Sequence, residues 1–465
     1  MTPPLFTLDA ILAATGGRAA GVSATEINSV SIDSRDLRRD ALFVAIKGDR
    51  FDGHDFVDTA IANGAAAALV TDGKSVGEGR IVVADALGGL RDMARAARAR
   101  SRAFIVGVTG SVGKTTTKEA IRTVLETAGE THYSIKSFNN HWGVPLMLAR
   151  MPETAQFGVF EMGMSAPDEI RPLSKLVRPH VAVITNVAPA HLENLGSLEN
   201  IALAKAEIFD GLEPGGTAVI NADHPQIDIL LQAASAAGVA RVITYGFSAG
   251  VDWQIVDVVT RADGSTATVE RGGERYALEL SVAGRHMLVN ATAALIVADL
   301  AGIDTGFALN TLARLGAQPG RGQRTNFGSA DKPLLLIDES YNANTASMGA
   351  ALDVFASVTP ANGRKVIVLG DMRELGDTAN ALHAGLAPAV LASGATRVHL
   401  VGQHMAALGQ ALPAGIVASH HQSVEQAQEV IIDDLAFGDA VMIKGSNGVG
   451  LARIVSAITQ KFSNS

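Results

Sequence analysis

Phe104-Ile-Val-Gly-Val-Thr-Gly-Ser-Val-Gly-Lys-Thr-Thr-Thr117 decides the fold. The apolar run from Phe104 to Val108 reads as a buried strand. It breaks into the turn Thr109, Gly110, Ser111, Val112, Gly113, which leads into Lys114, Thr115 and Thr116. Ile121, Val124, Leu125 and Ala128 then recur at i, i+3, i+4 and i+7, a helical period that Gly129 is placed to end. Strand, glycine turn and helix form the geometry that cradles a polyphosphate. The glycines let backbone N–H groups approach the phosphate oxygens, and the helix N-terminus adds positive potential. Lys114 is expected to reach the β/γ-phosphates, and the Thr115 hydroxyl to bind Mg2+. Val108 stands where the strict Walker pattern has its first glycine, with Gly107 and Gly110 flanking it. The stretch is read as an ATP site.

Upstream, residues 1–98 read as a small α/β unit. A strand is expected over 41–46, a helix over 55–63 and a second short strand over 66–70. Ser34, Arg35, Lys47, Asp52, Gly53 and His54 cluster around two turns that could hold an anionic or nucleotide-like ligand. Solvated turns give the same pattern. The Ala-rich segment carrying Arg91, Arg95, Arg98, Arg100 and Arg102 reads as a solvated helix leading into the next unit.

Downstream, residues 99–320 alternate strands at 104–108, 157–161, 181–185, 217–220 and 241–245 with helical stretches. That pattern predicts a largely parallel sheet with helices on both faces and ligands at the carboxyl ends of its strands. The strand 157–161 ends in Glu161, a hard oxygen donor suited to Mg2+. The strand 181–185 runs into Asn186, with His191 five residues on; a lone loop histidine is either a ligand or structural. Asn139 and Asn140, in Ser137-Phe-Asn-Asn-His-Trp-Gly-Val-Pro145, make a turn whose amides could also orient phosphate or substrate. Lys205 is the only cation in the helical stretch 201–209, and composition alone makes it a surface lysine. Asn290 opens an Ala-rich buried helix.

Pro319-Gly-Arg-Gly-Gln323 reads as a flexible joint, and residues 321–465 alternate again. Strands are expected at 334–337, 366–369, 397–401 and 440–443, each ending in small or polar residues, as at a second nucleotide-facing edge.

The whole chain sets outer limits. Its 465 residues are too many for one core. A net charge of −9 argues against a general nucleic-acid or anionic-membrane binder, and the absence of cysteine excludes disulfides and thiolate chemistry. No apolar run approaches the roughly 20 residues of a membrane span. The N-terminus lacks the charged-then-apolar order of a signal peptide. A cytoplasmic enzyme, acting as a monomer, is expected.

Together the motifs resemble the Mur ligases, the ATP-dependent amide ligases of peptidoglycan precursor synthesis. The resemblance spans the chain: Thr-Gly-Ser-Val-Gly-Lys-Thr-Thr (109–116), Asn-Asn-His-Trp-Gly-Val-Pro (139–145), Glu-Met-Gly (161–163), Asn-Val-Ala-Pro-Ala-His-Leu-Glu (186–193) and Ala-Lys-Ala-Glu-Ile-Phe (204–209). Phe-Asp-Gly-His-Asp-Phe (51–56), Tyr-Asn-Ala-Asn (341–344) and Leu-Gly-Asp-Met-Arg-Glu-Leu-Gly (369–376) are similar to the member that adds D-alanyl-D-alanine to UDP-N-acetylmuramoyl-tripeptide. The Asp-Asn-Pro-Arg motif usual in the diamino-acid-adding member does not occur.

The resemblance implies a uridine nucleotide at Ser34, Arg35, Lys47 and the turn 52–54. It implies Mg2+ at Glu161 and His191, a carbamate on Lys205, and ATP contacts from Asn290, Arg321, Tyr341 and Asn342. The fold it implies is a small uridine-nucleotide domain, a central phosphate-loop ATPase-like domain and a C-terminal Rossmann-like domain that closes on ATP and D-Ala-D-Ala. Glu339, where many relatives have aspartate, receives no role. The rivals are the diamino-acid-adding member, a folylpolyglutamate synthetase, and a nucleotide-binding scaffold without chemistry.

Overall fold

In the computed structural model, residues 3–463 are described apart from positions 49, 136 and 362. The strand Phe104–Thr109 sits inside a nine-stranded sheet, between Phe157–Glu161 and Val181–Ile184. Both neighbours come later in the chain, one on each side, so the strand order reverses here. That reversal opens a crevice beyond the carboxyl ends of the strands. The sheet runs parallel from Thr131–Tyr133 across to Trp253–Arg261. Its far edge is an antiparallel meander, Trp253–Arg261, Gly264–Arg271 and Glu274–Leu280. That meander and the short strand Thr131–Tyr133 lie outside the sequence expectation. The meander strands alternate buried with half-exposed residues, and a register shift between Val256 and Val259 interrupts the alternation.

The N-terminal sheet orders its strands Arg18–Ala20, Arg80–Val83, Ala67–Thr71, Ala41–Val44, Ser29–Ser31. The strand expected over 41–46 stops at Val44 because the chain folds back on itself there. The Gly53 N–H donates to the Ile46 carbonyl at 2.9 Å, and a Cβ on Gly53 would lie 2.7 Å from the Ile46 nitrogen. The helix expected over 55–63 splits into a 3-10 turn, Gly53–Phe56, and the helix Val57–Ala62. The C-terminal sheet is ordered Gln323–Phe327, Leu334–Glu339, Ala440–Lys444, Lys365–Gly370, Arg397–Val401, Val417–His421, and only its first pairing is antiparallel.

The arginine-rich helix Ala86–Arg100 is not the solvated helix its composition suggests. Leu90, Met93, Ala94 and Ala97 are buried on one face, and Arg98 is buried with them. Its guanidinium donates to the carbonyls of Val177 at 2.7 Å and Arg178 at 2.8 Å, and pairs with Glu213 at 3.0 Å. Arg100 lies over the Phe6 ring, 4.3 Å from its centre. The helix is a strut between units: one continuous apolar core takes in Leu42, Leu69, Leu90 and Met93, then Ile105, Leu146 and Phe160 under the central sheet. On the other face of that sheet the helix Lys114–Leu125 packs on Arg285–Leu300, whose residues Met287–Ala298 are all buried. The C-terminal unit has cores of its own on both faces of its sheet. Among the described residues no helix is long and apolar enough to cross a membrane.

Candidate active site

The crevice at the strand reversal is a cavity of about 760 Å³ between the central and C-terminal sheets, within the roughly 300–1,000 Å³ usual for small-molecule sites. Ser111 to Thr116 line it, with Asn139, Asn140, Glu161, His191, Asn290, Arg321, Tyr341 and Asn342. Thr109 ends the strand and Gly110 begins the turn beneath. Gly110 (φ 150°) and Gly113 (φ 85°) hold the loop in its shape. A Cβ on Gly110 would lie 2.0 Å from Thr185 Oγ1, and one on Gly113 would lie 2.7 Å from Asn290 Oδ1. Asn290 thus supports the loop from behind and also accepts a hydrogen bond from Thr117 Oγ1 at 3.1 Å.

Two carboxylate partnerships set the chemistry. Glu161 is 1% exposed and accepts from Thr115 Oγ1 at 2.8 Å and from Asn139 Nδ2 at 2.8 Å. Two hard oxygens, one charged, therefore face the same space at the mouth of the phosphate loop. Among the described residues no three His, Asp or Glu side chains converge, so the donor set is not an all-protein cage. It fits Mg2+, which keeps several waters and takes the rest of its shell from phosphate oxygens.

The cations respond to burial. Lys114 donates to the Gly110 carbonyl at 2.6 Å, and burial lowers its pKa, with Glu161 acting against that and Arg321 with it. Lys205 is 2% exposed rather than on the surface. Burial holds it well below the ordinary lysine range, and the charge of Lys114 adds to the effect. The Lys205 side chain makes no hydrogen bond among the described residues and does not line the cavity wall.

Arg321, Tyr341 and Glu374 of the C-terminal unit bond to the central unit around the crevice. Arg321 Nη2 donates to Thr115 Oγ1 at 3.0 Å and its guanidinium lies 4.3 Å over the Tyr341 ring. The Tyr341 hydroxyl is hydrogen bonded to Ser137 of the central unit. Glu374 is hydrogen bonded through its carboxylate to His191 Nδ1, a contact that lowers the Glu374 pKa. The joint at 319–323 is held rather than loose. Asp338 accepts from Gly320 N at 3.0 Å with one oxygen and from the Ser340 hydroxyl at 2.6 Å with the other.

The N-terminal candidates lie away from this cavity. Ser34 and Arg35 follow the strand Ser29–Ser31, and Lys47 follows Ala41–Val44; the two strands are adjacent and parallel, so both turns leave one edge. Arg35 and Lys47 are exposed, Arg35 paired with Asp33 at 2.8 Å. His54 has no nitrogen left for a ligand: Nδ1 donates to Asp52 at 2.6 Å and Nε2 accepts from Thr71 N at 3.0 Å. That bond chiefly lowers the Asp52 pKa. The turn approaches the central unit where Gly48 lies against the Trp142 ring. Asn140 spends its side-chain oxygen capping the helix Gly143–Ala149, accepting from Gly143 N at 2.9 Å.

Sequence reasoning missed several lining residues. Asn221 and Lys444 end parallel strands, the signal that singled out Glu161. Lys444 is 2% exposed and donates to Glu339 at 3.3 Å and to the Asn342 carbonyl at 3.1 Å. Arg285, stacked 4.0 Å over Phe247, gave no signal of its own because the two meet only through the fold.

Comparison with known proteins agrees with this arrangement. The chain matches family models described as Mur ligase family, catalytic domain (26–101), Mur ligase middle domain (108–298) and Mur ligase, glutamate ligase domain (323–447). It is 35% identical over 446 residues to the UDP-N-acetylmuramoyl-tripeptide–D-alanyl-D-alanine ligase of Bacillus subtilis, covering 94% of each chain. A MurF crystal structure from Acinetobacter baumannii superposes with a TM-score of 0.84 at 28% identity, covering 98% of this chain and 99% of that one. The MurF ligase of Thermotoga maritima in complex with ADP superposes at 0.78 and 26% identity, covering 94% and 98%. With likeness of this extent in all three units, and a phosphate loop facing a second α/β sheet, the chain belongs to the Mur ligase family.

Proposed function

We propose that the protein is the ATP-dependent ligase that joins D-alanyl-D-alanine to UDP-N-acetylmuramoyl-tripeptide in peptidoglycan precursor synthesis. The near-full-length likeness to ligases of that name supports the substrate pair. The observation that carries the chemistry is the meeting of Lys114, Thr115 and Glu161 with Arg321 and Tyr341 across one crevice. In this reading residues 1–98 hold the uridine nucleotide through Ser34, Arg35, Lys47 and the 52–54 turn, residues 99–320 hold ATP, and residues 321–465 close over it. In the same reading the enzyme works in the cytoplasm as a monomer.

An amide cannot form from a carboxylate directly, because oxide is too poor a leaving group. A tripeptide carboxylate oxygen attacks the γ-phosphorus, the bond to the β-phosphate oxygen breaks, and ADP leaves. The dipeptide amine then attacks the acyl carbon, phosphate departs with the bonding pair, and the amine proton passes to solvent. Lys114 and the backbone of the loop hold the phosphates in line. Arg321 stands where charge develops on the transferred group. Mg2+, held by Thr115, Glu161 and His191, would offset the charge of both partners. Tyr341 on Ser137 keeps the third unit closed and excludes water from the acyl phosphate. Lys205 is suited to become a carbamate: only a neutral amine attacks carbon dioxide, and burial favours the neutral form of this one. The product would be an anion with two oxygen donors of the kind Mg2+ takes.

The test is phosphate release from ATP and Mg2+ with the UDP-tripeptide, with and without D-Ala-D-Ala. Release that needs both, with a UDP-pentapeptide by mass, is expected. Release only with a single diamino acid and the dipeptide-level nucleotide would assign the neighbouring ligase instead.

A further inference from the structure

His191 and Glu374 come from different units, and each adopts a left-handed backbone that non-glycine residues seldom take, at φ 57° and φ 62°. Those two conformations turn the side chains toward each other across the crevice. The contact is not isolated. The Glu193 N–H points to the Glu374 carbonyl, and the helix Leu192–Leu195 packs on the 3-10 turn Gly376–Thr378.

The hydrogen bond fixes the imidazole. A carboxylate only accepts, so Nδ1 is the donor, and in the neutral ring the lone pair lies on Nε2. Nε2 makes no hydrogen bond among the described residues, and the ring lines the cavity that holds Thr115 and Glu161. A histidine whose other nitrogen is tied to a carboxylate is the usual form of a metal-binding one, the carboxylate fixing the ring and raising its basicity.

We infer that Glu374 is a positioning residue for the metal site: it orients His191 from the opposite unit, so that the ion is held firmly only when the C-terminal unit is docked. The inference rests on the proposed role of His191 as a metal ligand. By linkage the coupling is reciprocal, and the metal favours the docked arrangement as much as docking favours the metal. Closure and assembly of the metal site then become one event.

The test uses the full chain with saturating ADP and reads Mn2+ affinity by electron paramagnetic resonance. Glu374 is half exposed, so Glu374→Gln and Glu374→Ala should fold, and ADP affinity in chelator serves as the control. Loss of the carboxylate should weaken Mn2+ binding by about 10-fold, with Glu374→Asp in between. In a His191→Ala background the Glu374 substitutions should add nothing. Additive losses, tighter Mn2+ binding, or an unchanged affinity in Glu374→Gln beside a weakened one in His191→Ala would each overturn the inference. An unchanged affinity in His191→Ala would overturn the ligand role on which it rests.

Discussion

Arg321 Nη2 donates to the Thr115 hydroxyl at 3.0 Å, joining residues 206 apart in the chain. One flat guanidinium both makes that bond and stacks on Tyr341. Lysine keeps the charge but has neither the plane nor the fork. Arg321→Lys should therefore raise the KM for ATP by roughly 10-fold, about 1.4 kcal/mol, with ADP-release assays as the measurement. An unchanged KM would show that charge alone suffices.

The phosphate loop should tolerate no side chain at its helix start. Gly113 has φ 85°, and an added Cβ would lie 2.7 Å from Asn290 Oδ1. Gly113→Ala should cost about 1–3 kcal/mol of stability, seen in urea unfolding, and should abolish ATP binding by calorimetry. Wild-type nucleotide affinity would contradict the loop geometry.

The Arg98 strut yields a stability prediction remote from the chemistry. Its guanidinium satisfies two carbonyls and Glu213 inside the protein. Arg98→Met fills the space but leaves the two carbonyls without their donor, while Glu213 keeps Arg178 at 2.6 Å. A loss of about 1–3 kcal/mol is expected, with the kcat of the folded fraction unchanged. Denaturant titration with activity on the same samples separates the two.

Acid should act through Asp434. Burial raises its pKa, but hydrogen bonds from Arg397 and His399 and the charge of Arg364 outweigh that, and it stands at about 2 against a usual 3.8. The folded state therefore binds this proton less readily than the unfolded chain. The stabilisation, about 2 kcal/mol, is complete above the unfolded pKa and is lost as pH falls through about 2. Asp434→Asn should remove it at neutral pH and flatten the acid limb of the C-terminal unit's unfolding profile, measured by circular dichroism.

Much of this molecule is legible in its sequence because its central strands are buried on both faces. Phe104–Thr109, Phe157–Glu161 and Val181–Ile184 appear as continuous apolar runs, and their polar ends face the crevice. The meander Trp253–Leu280 was hidden because half-exposed strands mix polar with apolar residues. Arg98 and Lys205 were misread for one reason. Composition treats a cation as a surface residue, whereas burial depends on acceptors or neighbours supplied by distant segments. Glu374 stands inside the motif 369–376, but nothing local points to its partner, which lies 183 residues away.

The apolar core shared by the first two units bears on how the chain is made. Leu42, Leu69, Leu90 and Met93 leave the ribosome before Leu146, Phe160 and Leu173, which complete the same core. Until then the nascent first unit presents an uncovered greasy face, the condition under which emerging chains aggregate or recruit chaperones. The C-terminal unit, with its own two cores, carries no such debt to later synthesis. What looks like three domains is, to the cell that builds it, two pieces: a long first one that must be completed before it can settle, and a second that folds as it arrives.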